Sequence, residues 1–439
     1  MEYNTIFFGD VAKIKNGYAF KSKEFQEKGI PVIKIKNIIS PIVDTKDSQK
    51  VSIKTYEKTK GFSLKKNDIL ISLTGSGVNQ MSSAVGKVGR IEFDYPALQN
   101  QRVGKFELKY SNSADLDFLF YYFLQPKITE YLVRNSTGSA NQANINSKLI
   151  ETVKIPNFSL IKQKSISKFL NQITRKIETN QKMIANLEEL SQTLFKRWFV
   201  DFEFPDENGN PYKSSGGEMV DSELGKIPKY WKVSNLDKIA SFVSRGITPK
   251  YNENSDIQIP IINQKVNKGP RLDLQYIKYF DGQNRIKKEL YAQKNDLLLN
   301  SLGQGTLGRI HLFTRKSEEF LIDQHISIIR FDNINYSYFY YAHINTDLIQ
   351  GQIDSLISGS TGMLMLNITK IRNLKVILPT EELVLKYSKL VNEYFGKITQ
   401  LIYENENLTQ LRDALLPKLM SGEIDIPDDI EVNEDELSI

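Results

Sequence analysis

The chain repeats itself at a very long period. Lys66-Asn67-Asp68-Ile69-Leu70-Ile71 returns as Lys294-Asn295-Asp296-Leu297-Leu298-Leu299, 228 positions later. Ser136-Thr137-Gly138-Ser139 answers to Ser358-Gly359-Ser360-Thr361-Gly362, and Leu187, Leu190 and Leu194 answer to Leu408, Leu411 and Leu415, 221 positions later. The matches keep their order and the offset drifts by only a few residues. Solenoid repeats recur every 20–50 residues or so, which leaves two copies of one whole module as the reading. Two diverged copies in one chain imply two related targets held at a fixed distance.

The first copy opens with a mixed region, residues 1–156. Pro31-Val32-Ile33-Lys34-Ile35-Lys36, Asp68 to Leu73 and Lys87 to Phe93 are short β-branched runs bounded by Gly, Asn, Asp or Ser, which predicts strands and turns. A stretch rich in Phe and Tyr near Ala114–Val133 predicts one helix, so the module is α+β. Residues 160–199 change character. Ile166, Ile173, Asn180, Leu187 and Leu194 fall seven apart, with Leu170, Ile177 and Ile184 at an offset of four and Phe169, Met183 and Leu190 at an offset of three. That is one apolar stripe on a continuous helix, about 55–60 Å long at ~1.5 Å per residue. Asn180 is its one polar position and is placed to fix register against a partner helix.

Residues 205–228, punctuated by Pro205, Gly209, Pro211, Gly216, Gly217, Gly225 and Pro228, read as a linker. Residues 229–379 repeat the module and 381–420 repeat the helix, with Tyr387, Tyr394, Leu401, Leu408 and Leu415 seven apart and Pro417 as a stop signal. The expected boundaries are 1–156, 157–204, 205–228, 229–379, 380–422 and an acidic tail at 423–439. Two long striped helices most simply pack on each other. If the copies obey a pseudo-twofold, the helices are antiparallel and the modules sit at opposite ends of a rod.

Net charge understates how basic the body is. The chain carries +6 overall, but residues 423–439 hold eight acids and no Lys or Arg, so residues 1–422 carry +14. A basic body suits a polyanion, and the acidic tail reads as disordered and solvating. There are no cysteines, which excludes disulfides, thiolate metal sites and thiol catalysis. No apolar run approaches the ~20 residues that span a bilayer, and the start has no basic flank before an apolar segment. These features favour the cytoplasm.

Gly303-Gln304-Gly305-Thr306-Leu307-Gly308 matches a dinucleotide fingerprint. The residues after it, Arg309 to Phe313, read as a strand, so no helix N-terminus faces a pyrophosphate. The first copy places Gly75-Ser76-Gly77 and Gly86-Lys87-Val88-Gly89 in the same context, and a glycine-rich hairpin is the plainer reading. His311, His325 and His343 are the only histidines and have no counterparts in the first copy. No H-E-x-x-H, G-x-S-x-G or Walker-type loop occurs, nor the Asn/Asp-Pro-Pro-aromatic motif that holds a flipped base.

The unusual residues are in the loops. Candidates for nucleic-acid contact in the first copy are Ser76, Asn79, Gln80 and Lys87, then Gln99, Asn100, Gln101 and Arg102, then Thr137, Ser139, Asn141, Gln142 and Asn144. The second copy offers Ser301, Gln304, Thr306 and Arg309, then Gln324 in Asp323-Gln324-His325, then Ser360 and Thr361, with Arg245 and Lys250. Amide and guanidinium groups read base edges bidentately, and Ser, Thr and Lys suit phosphates. The same residue types also simply make loops. A second patch, Phe195, Arg197, Trp198 and Phe199 at one helix end with Leu415 and Leu419 at the other, either packs on the neighbouring module or docks a partner.

Several segments together resemble the specificity subunit of type I restriction–modification systems. Leu194-Phe195-Lys196-Arg197-Trp198-Phe199-Val200-Asp201-Phe202 is similar to the end of that family's central conserved region, and Asp221-Ser222-Glu223-Leu224-Gly225-Lys226-Ile227-Pro228 to the lead into its second recognition domain. Leu411-Arg412-Asp413-Ala414-Leu415-Leu416-Pro417-Lys418-Leu419 is similar to the end of its distal conserved region, and Gly9-Asp10-Val11 with Asn16 to Lys21 to its opening, which adds Lys21 to the DNA set. The second module departs from the pattern with Leu236-Asp237 where Gly-Asp is usual, and its 303–308 loop is much shorter than 75–89. The resemblance implies two globular α/β target recognition domains, separated by two long antiparallel coiled-coil-like helices. It implies double-stranded DNA as ligand and two methyltransferase subunits as partners, which two restriction–translocase subunits can join. It places S-adenosylmethionine on the methyltransferase and ATP and Mg on the restriction subunit, with no cofactor, metal or catalytic residue on this chain. A cofactor-binding enzyme using Gly303–Gly308 and a pure coiled-coil adaptor are the alternatives.

Overall fold

The repeated Lys-Asn-Asp signature has a local cause. Asn67 and Asn295 both adopt left-handed backbone, with φ of 69° and 74°, a conformation Asn tolerates better than most residues. The next residue closes the turn: the Asp68 carboxylate accepts from Lys65 N at 3.0 Å, and the Asp296 carboxylate from Gln293 N at 2.7 Å. Each turn launches a strand buried on both faces, Ile69–Ser72 and Leu297–Asn300. Two such strands explain why the apolar runs are continuous rather than alternating.

This computed structural model describes residues 4–77, 85–139, 142–251, 256–282, 286–359 and 364–426. They form two compact units. One comprises residues 1–178 and 405–439 and the other residues 179–404, so each long helix gives one half to either unit.

In the first unit Ala12–Asn16, Val103–Leu108, Ile69–Ser72 and Val88–Arg90 lie side by side, all antiparallel, in a sheet that Ile42–Val43 and Ile38–Ile39 extend. A second sheet includes Ala97–Gln99 parallel to Ile30–Ile33. The second unit repeats the plan. Phe242–Arg245, Ile326–Arg330, Leu297–Asn300 and Ile310–Leu312 follow the same order, and Leu321–Ile322 lies parallel to Gln258–Ile262. Each module is closed by pairing its first strand with its last, Thr5–Phe7 with Lys154–Pro156 and Lys232–Asn235 with Lys375–Leu378.

The aromatic stretch predicted as one helix is two, Leu116–Leu124 and Pro126–Arg134. Pro126 fixes the first position of the second helix and pushes Gln125 into extended backbone. A tyrosine of each module bonds the long helix beside it. Tyr121 Oη donates to Asn171 Oδ1 at 2.9 Å, and Tyr338 Oη to Asn392 Oδ1 at 2.8 Å.

The long helices span Leu160–Phe195 and Glu381–Ser421. In the first unit Ile166 and Leu170 share a core with Leu416, Leu419 and Met420, and Lys162 pairs with Asp425. In the second unit Asn180 Nδ2 donates to Glu404 Oε2 at 2.9 Å while the Phe195 ring meets Tyr387 at 5.7 Å, so the helices run antiparallel there. Asn180 is buried, as a register-setting polar position requires; of the offset of three, Phe169 packs on the first unit's core, whereas Met183 and Leu190 are exposed and lie outside the seam.

Two further expectations are corrected. Pro417 does not stop the helix, which runs through it to Ser421. Pro417 itself is exposed, while its neighbours Leu416, Leu419 and Met420 are buried in the first unit's core and hold the last turn in place. The segment 205–228 is not a bare linker. Met219–Ser222 pairs with Gly225–Pro228, and Phe204 stacks on Tyr212 and Trp231. Its glycines mark turns within a packed structure rather than an extended tether.

Candidate nucleic-acid interface

In the first module three chain crossings stack beside the strand Ile69–Ser72. Tyr18 N donates to Gln99 O and Gln101 N to Tyr18 O, both at 2.9 Å. Leu73 N donates to Arg102 O at 3.0 Å, and Ile145 N to Leu73 O at 2.9 Å. Gly17 permits this. A Cβ there would lie 2.3 Å from Asn100 O and 2.5 Å from Gln99 O.

The second module builds the same corner from different residues. Ile247 N donates to Ile322 O at 2.7 Å and Gln324 N to Ile247 O at 2.8 Å. Ser301 N donates to His325 O at 2.9 Å, and Leu366 N to Ser301 O at 2.8 Å. Gly246 takes the place of Gly17, with a Cβ position 2.1 Å from Ile322 O. Backbone bonding thus makes Asn100-Gln101-Arg102 and Asp323-Gln324-His325 equivalents. Lys87 and Arg309 are a further pair, since their carbonyls accept from Ser72 N at 2.9 Å and Asn300 N at 2.8 Å.

At the first corner a groove of about 580 Å³ is lined by Gln101, Arg102 and Asn144, together with Asn16, Asn146 and Lys148. Gln101, Arg102, Asn146 and Lys148 are exposed, so the rim offers two cations and several amides. Thr137–Ser139 and Gln142–Asn144 form a hairpin whose inner strand pairs Asn144 with Thr74. This brings the exposed Thr137 and Gln142 onto the same edge, with Ser76 just beyond Thr74–Gly75. Asn100 is half-buried, and its side chain accepts from Arg102 N at 3.4 Å.

Other predicted residues fall elsewhere. Gln99 is fully buried, its Nε2 donating to Lys15 O and Val103 O at 2.7 and 2.8 Å, so it ties strands together and leaves the contact set. Ser301 is likewise buried, its hydroxyl 2.6 Å from that of Ser327, and leaves the set for the same reason. Lys21 is exposed on a turn closed by Glu24, outside the groove lining. Asn79, Gln80, Asn141, Ser360 and Thr361 lie outside the described residues, as does the side chain of Ser139.

In the second module Gln324 receives a hydrogen bond at Oε1 from Thr248 Oγ1 (2.8 Å), which leaves its amino group as a donor. Arg245 Nη2 donates to Leu366 O at 3.3 Å and is half-buried, while Lys250 is exposed. The 303–308 loop runs from strand to strand, with φ of 110°, 74° and 84° at Gly303, Gly305 and Gly308, and no helix comes after it. Its exposed Gln304 and half-buried Thr306 and Arg309 form a hairpin tip, where Arg309 Nη2 holds Gly305 O at 2.8 Å.

The histidines divide by environment. Burial holds His311 down to about 4 and His343 down to about 3, and both rings bond backbone, to Gly269 O and Ile377 N. These two are structural. The His325 side chain is one-third exposed, and its Nδ1 meets the carboxylate of Asp323, itself buried. Tyr251 Oη also donates to Asp323, at 2.8 Å, and burial together with that carboxylate pushes its phenol up. The sequence points to the segment Asp323-Gln324-His325, of which only Gln324 enters the candidate set. The matching order of Asn100-Gln101-Arg102 and Asp323-Gln324-His325 in the two copies was the signal that could have found His325. Among the described residues no cluster of three His, Asp or Glu is arranged to hold a metal.

The helix-end patch splits in two. Phe195 and Phe199 are buried against Phe339, and Leu419 is buried in the first unit's core, so these are internal. Arg197 is exposed, while Trp198 and Leu415 are half-buried, Trp198 against Phe199 and Tyr387 and Leu415 against the first unit's core. A cavity of about 560 Å³ in the second unit lies beside Phe195, Phe199, Tyr341 and Lys226.

A profile of the family described as "Type I restriction modification DNA specificity domain" matches residues 1–189 and again 228–401. The MjaIX specificity subunit of a type I restriction enzyme from Methanocaldococcus jannaschii is 27% identical over 312 residues, covering 70% of this chain and 69% of that one. The HindI specificity subunit from Haemophilus influenzae is 24% identical over 359 residues, covering 70% and 77%. The crystal structure of a type I restriction–modification S subunit from M. genitalium superposes with a TM-score of 0.58 at 18% identity, over 96% of each chain, and shows the shared fold.

Proposed function

The chain belongs to the type I restriction–modification DNA specificity family and carries the specificity domain twice, and on that premise we propose that each module reads one half of a split DNA site. The observation that carries the proposal is the duplicated corner. One backbone framework presents Gln101 and Arg102 in the first module and Gln324 and His325 in the second. Identical frameworks with different side chains suit two readers of different sequence. A specificity subunit of this kind supplies recognition and scaffold, and the chemistry belongs to its partners.

The long helices act as a ruler for the unread spacer in this proposal. At 36 and 41 residues they are about 54 and 62 Å long, more than the 34–36 Å turn of B-DNA. Two tethered readers gain effective concentration only when the spacer matches the tether. Arg197, Trp198 and Leu415 are offered to two methyltransferase subunits, which carry S-adenosylmethionine and methylate an adenine in each half. Two ATP- and Mg-dependent restriction subunits complete the assembly, and a cytoplasmic location goes with that work.

The test is co-expression with the cognate methyltransferase and genome-wide mapping of methylated adenines. A bipartite motif is expected, and exchange of residues 1–156 for those of a relative changes one half only. A single continuous motif, or changes in both halves, would overturn the proposal. The adaptor alternative predicts no DNA affinity, whereas reading through phosphates and base edges predicts binding that falls steeply with salt.

A further inference from the structure

We propose that His325 is a specificity-determining residue of the second module, presented to a base edge by Asp323 in the place where the first module presents Arg102. This inference rests on the reading of each module as a half-site reader.

The equivalence comes from the backbone. Arg102 O and His325 O accept from Leu73 N and Ser301 N at 3.0 and 2.9 Å. Two residues earlier, Asn100 O and Asp323 O accept from Val103 N and Ile326 N at 3.0 and 2.9 Å. The side chains at these two positions therefore leave the same framework at the same point.

Beyond that shared backbone the two positions differ. Arg102 is exposed on its groove. His325 is tethered: Asp323 Oδ1 accepts from its backbone N at 2.8 Å and contacts its Nδ1, while Oδ2 accepts from Tyr251 Oη at 2.8 Å. Asp323 is 1% exposed and makes three bonds, so it is a positioning residue and not itself a reader. A carboxylate at Nδ1 keeps the proton on that nitrogen, which leaves Nε2 to make the ring's outward hydrogen bond. Gln324 beside it is oriented by Thr248 in the same way. Fixing both side chains before DNA arrives removes rotamer entropy from binding.

The chemistry sets the expected readout. A guanidinium forks to guanine O6 and N7 with two bonds. Nε2 makes one, donating to a guanine acceptor when the ring is charged or accepting from an adenine or cytosine amino group when it is neutral. The second half-site therefore tolerates more than one base at the position facing His325, while the position facing Arg102 is stringent.

The full chain is co-expressed with its methyltransferase in a host lacking that methylation. Methylated adenines are mapped for wild type, His325→Gln, His325→Arg, Asp323→Asn and Arg102→Gln, with thermal melting of each purified complex. His325→Gln, at wild-type melting, and Asp323→Asn are expected to change the same single base position in one half, by about two- to tenfold in discrimination, the worth of a single hydrogen bond. His325→Arg is expected to sharpen that position toward guanine, and Arg102→Gln to change the other half only. An unchanged motif in all three second-module variants, beside a changed first half with Arg102→Gln, overturns the role of His325 and leaves the half-site reading standing. Silence of Arg102→Gln as well overturns that reading too. An even loss across both halves with lowered melting makes His325 structural and also overturns the proposal.

Discussion

Gly17→Ala and Gly246→Ala are expected to damage one half-site each. Neither change alters a side chain of the proposed reading set. Each inserts a methyl where a carbonyl already sits, 2.3 Å away at Asn100 O in the first module and 2.1 Å away at Ile322 O in the second. The closest ordinary C···O contacts are roughly 3.3 Å, so the opposing strand must retreat by about 1.0 and 1.2 Å. That retreat stretches the two bonds that fix each corner, Tyr18 N to Gln99 O and Gln101 N to Tyr18 O in the first, Ile247 N to Ile322 O and Gln324 N to Ile247 O in the second. Losing two such bonds costs about 1–3 kcal/mol of stability. The functional cost is separate. A reading side chain displaced by about 1 Å forfeits bidentate geometry worth roughly 1–3 kcal/mol, or about 5- to 150-fold at one base pair. Methylated-adenine mapping on the co-expressed complex reads this directly: Gly17→Ala blurs one half of the motif, Gly246→Ala the other, and the double variant both. If Gly17→Ala left the motif as sharp as wild type, or blurred both halves equally, the corner would not be what aims the readers.

The remaining expectations concern stability and spacing. Both buried histidines lie in the second unit, and each has its folded pKa below the unfolded value of 6.5, so the unfolded chain takes up protons that the native state does not. Their stabilisation is complete above pH 6.5 and is lost as pH falls toward 4, at about 1.4 kcal/mol per histidine per pH unit. Denaturant titrations at pH 7 and 5.5 are expected to differ by about 3 kcal/mol for the second unit, and His311→Gln with His343→Gln to shrink the difference. Arg330→Leu strands the fully buried Asp296 carboxylate that it now meets at 2.7 Å, and is expected to cost about 3–5 kcal/mol, read as a lower denaturation midpoint. Arg330→Leu with Asp296→Asn keeps an acceptor for Gln293 N and recovers part of that loss if desolvation of the charge is its cause. Deleting one heptad from each long helix shortens the tether by about 10.5 Å, or about 3 base pairs, and is expected to shorten the methylated motif's spacer while preserving its halves; an unchanged spacer rejects the ruler.

How far the fold and the site were legible in the residues depends on the range of the forces involved. The heptad stripe was legible because helix packing is periodic, and Asn180 stood out because a buried amide interrupts that period. The Asn67 and Asn295 turns were visible as a repeat because φ near 70° restricts residue choice sharply. The helix through Pro417 was misread because the deciding terms are tertiary, the burial of Leu416, Leu419 and Met420 against another part of the chain. Gln99 and Ser301 were misread for the complementary reason. Composition says that an amide or hydroxyl can bond, and only the fold says that its partners are Lys15, Val103 and Ser327.

The same distinction explains how two copies of one module can come to read different DNA. The corner's geometry is set by backbone bonds and by the lack of a Cβ at Gly17 and Gly246, which leaves little freedom at those positions. Arg102 and His325 hang from that frame without contributing to its bonds through their side chains, apart from the tether His325 makes to Asp323. If these are the reading side chains, as proposed, their exchange costs the fold little, while exchange of the frame costs the reading much. On the proposed reading, recognition can change one side chain at a time, and the largest drift in offset, from 228 at Ser72 and Asn300 to 222 at Lys87 and Arg309, falls in a single loop. The shortened 303–308 loop, ending at Arg309 where the first module has Lys87, is the clearest case: its strands and its closing bond to Asn300 are kept, and only the tip is rebuilt.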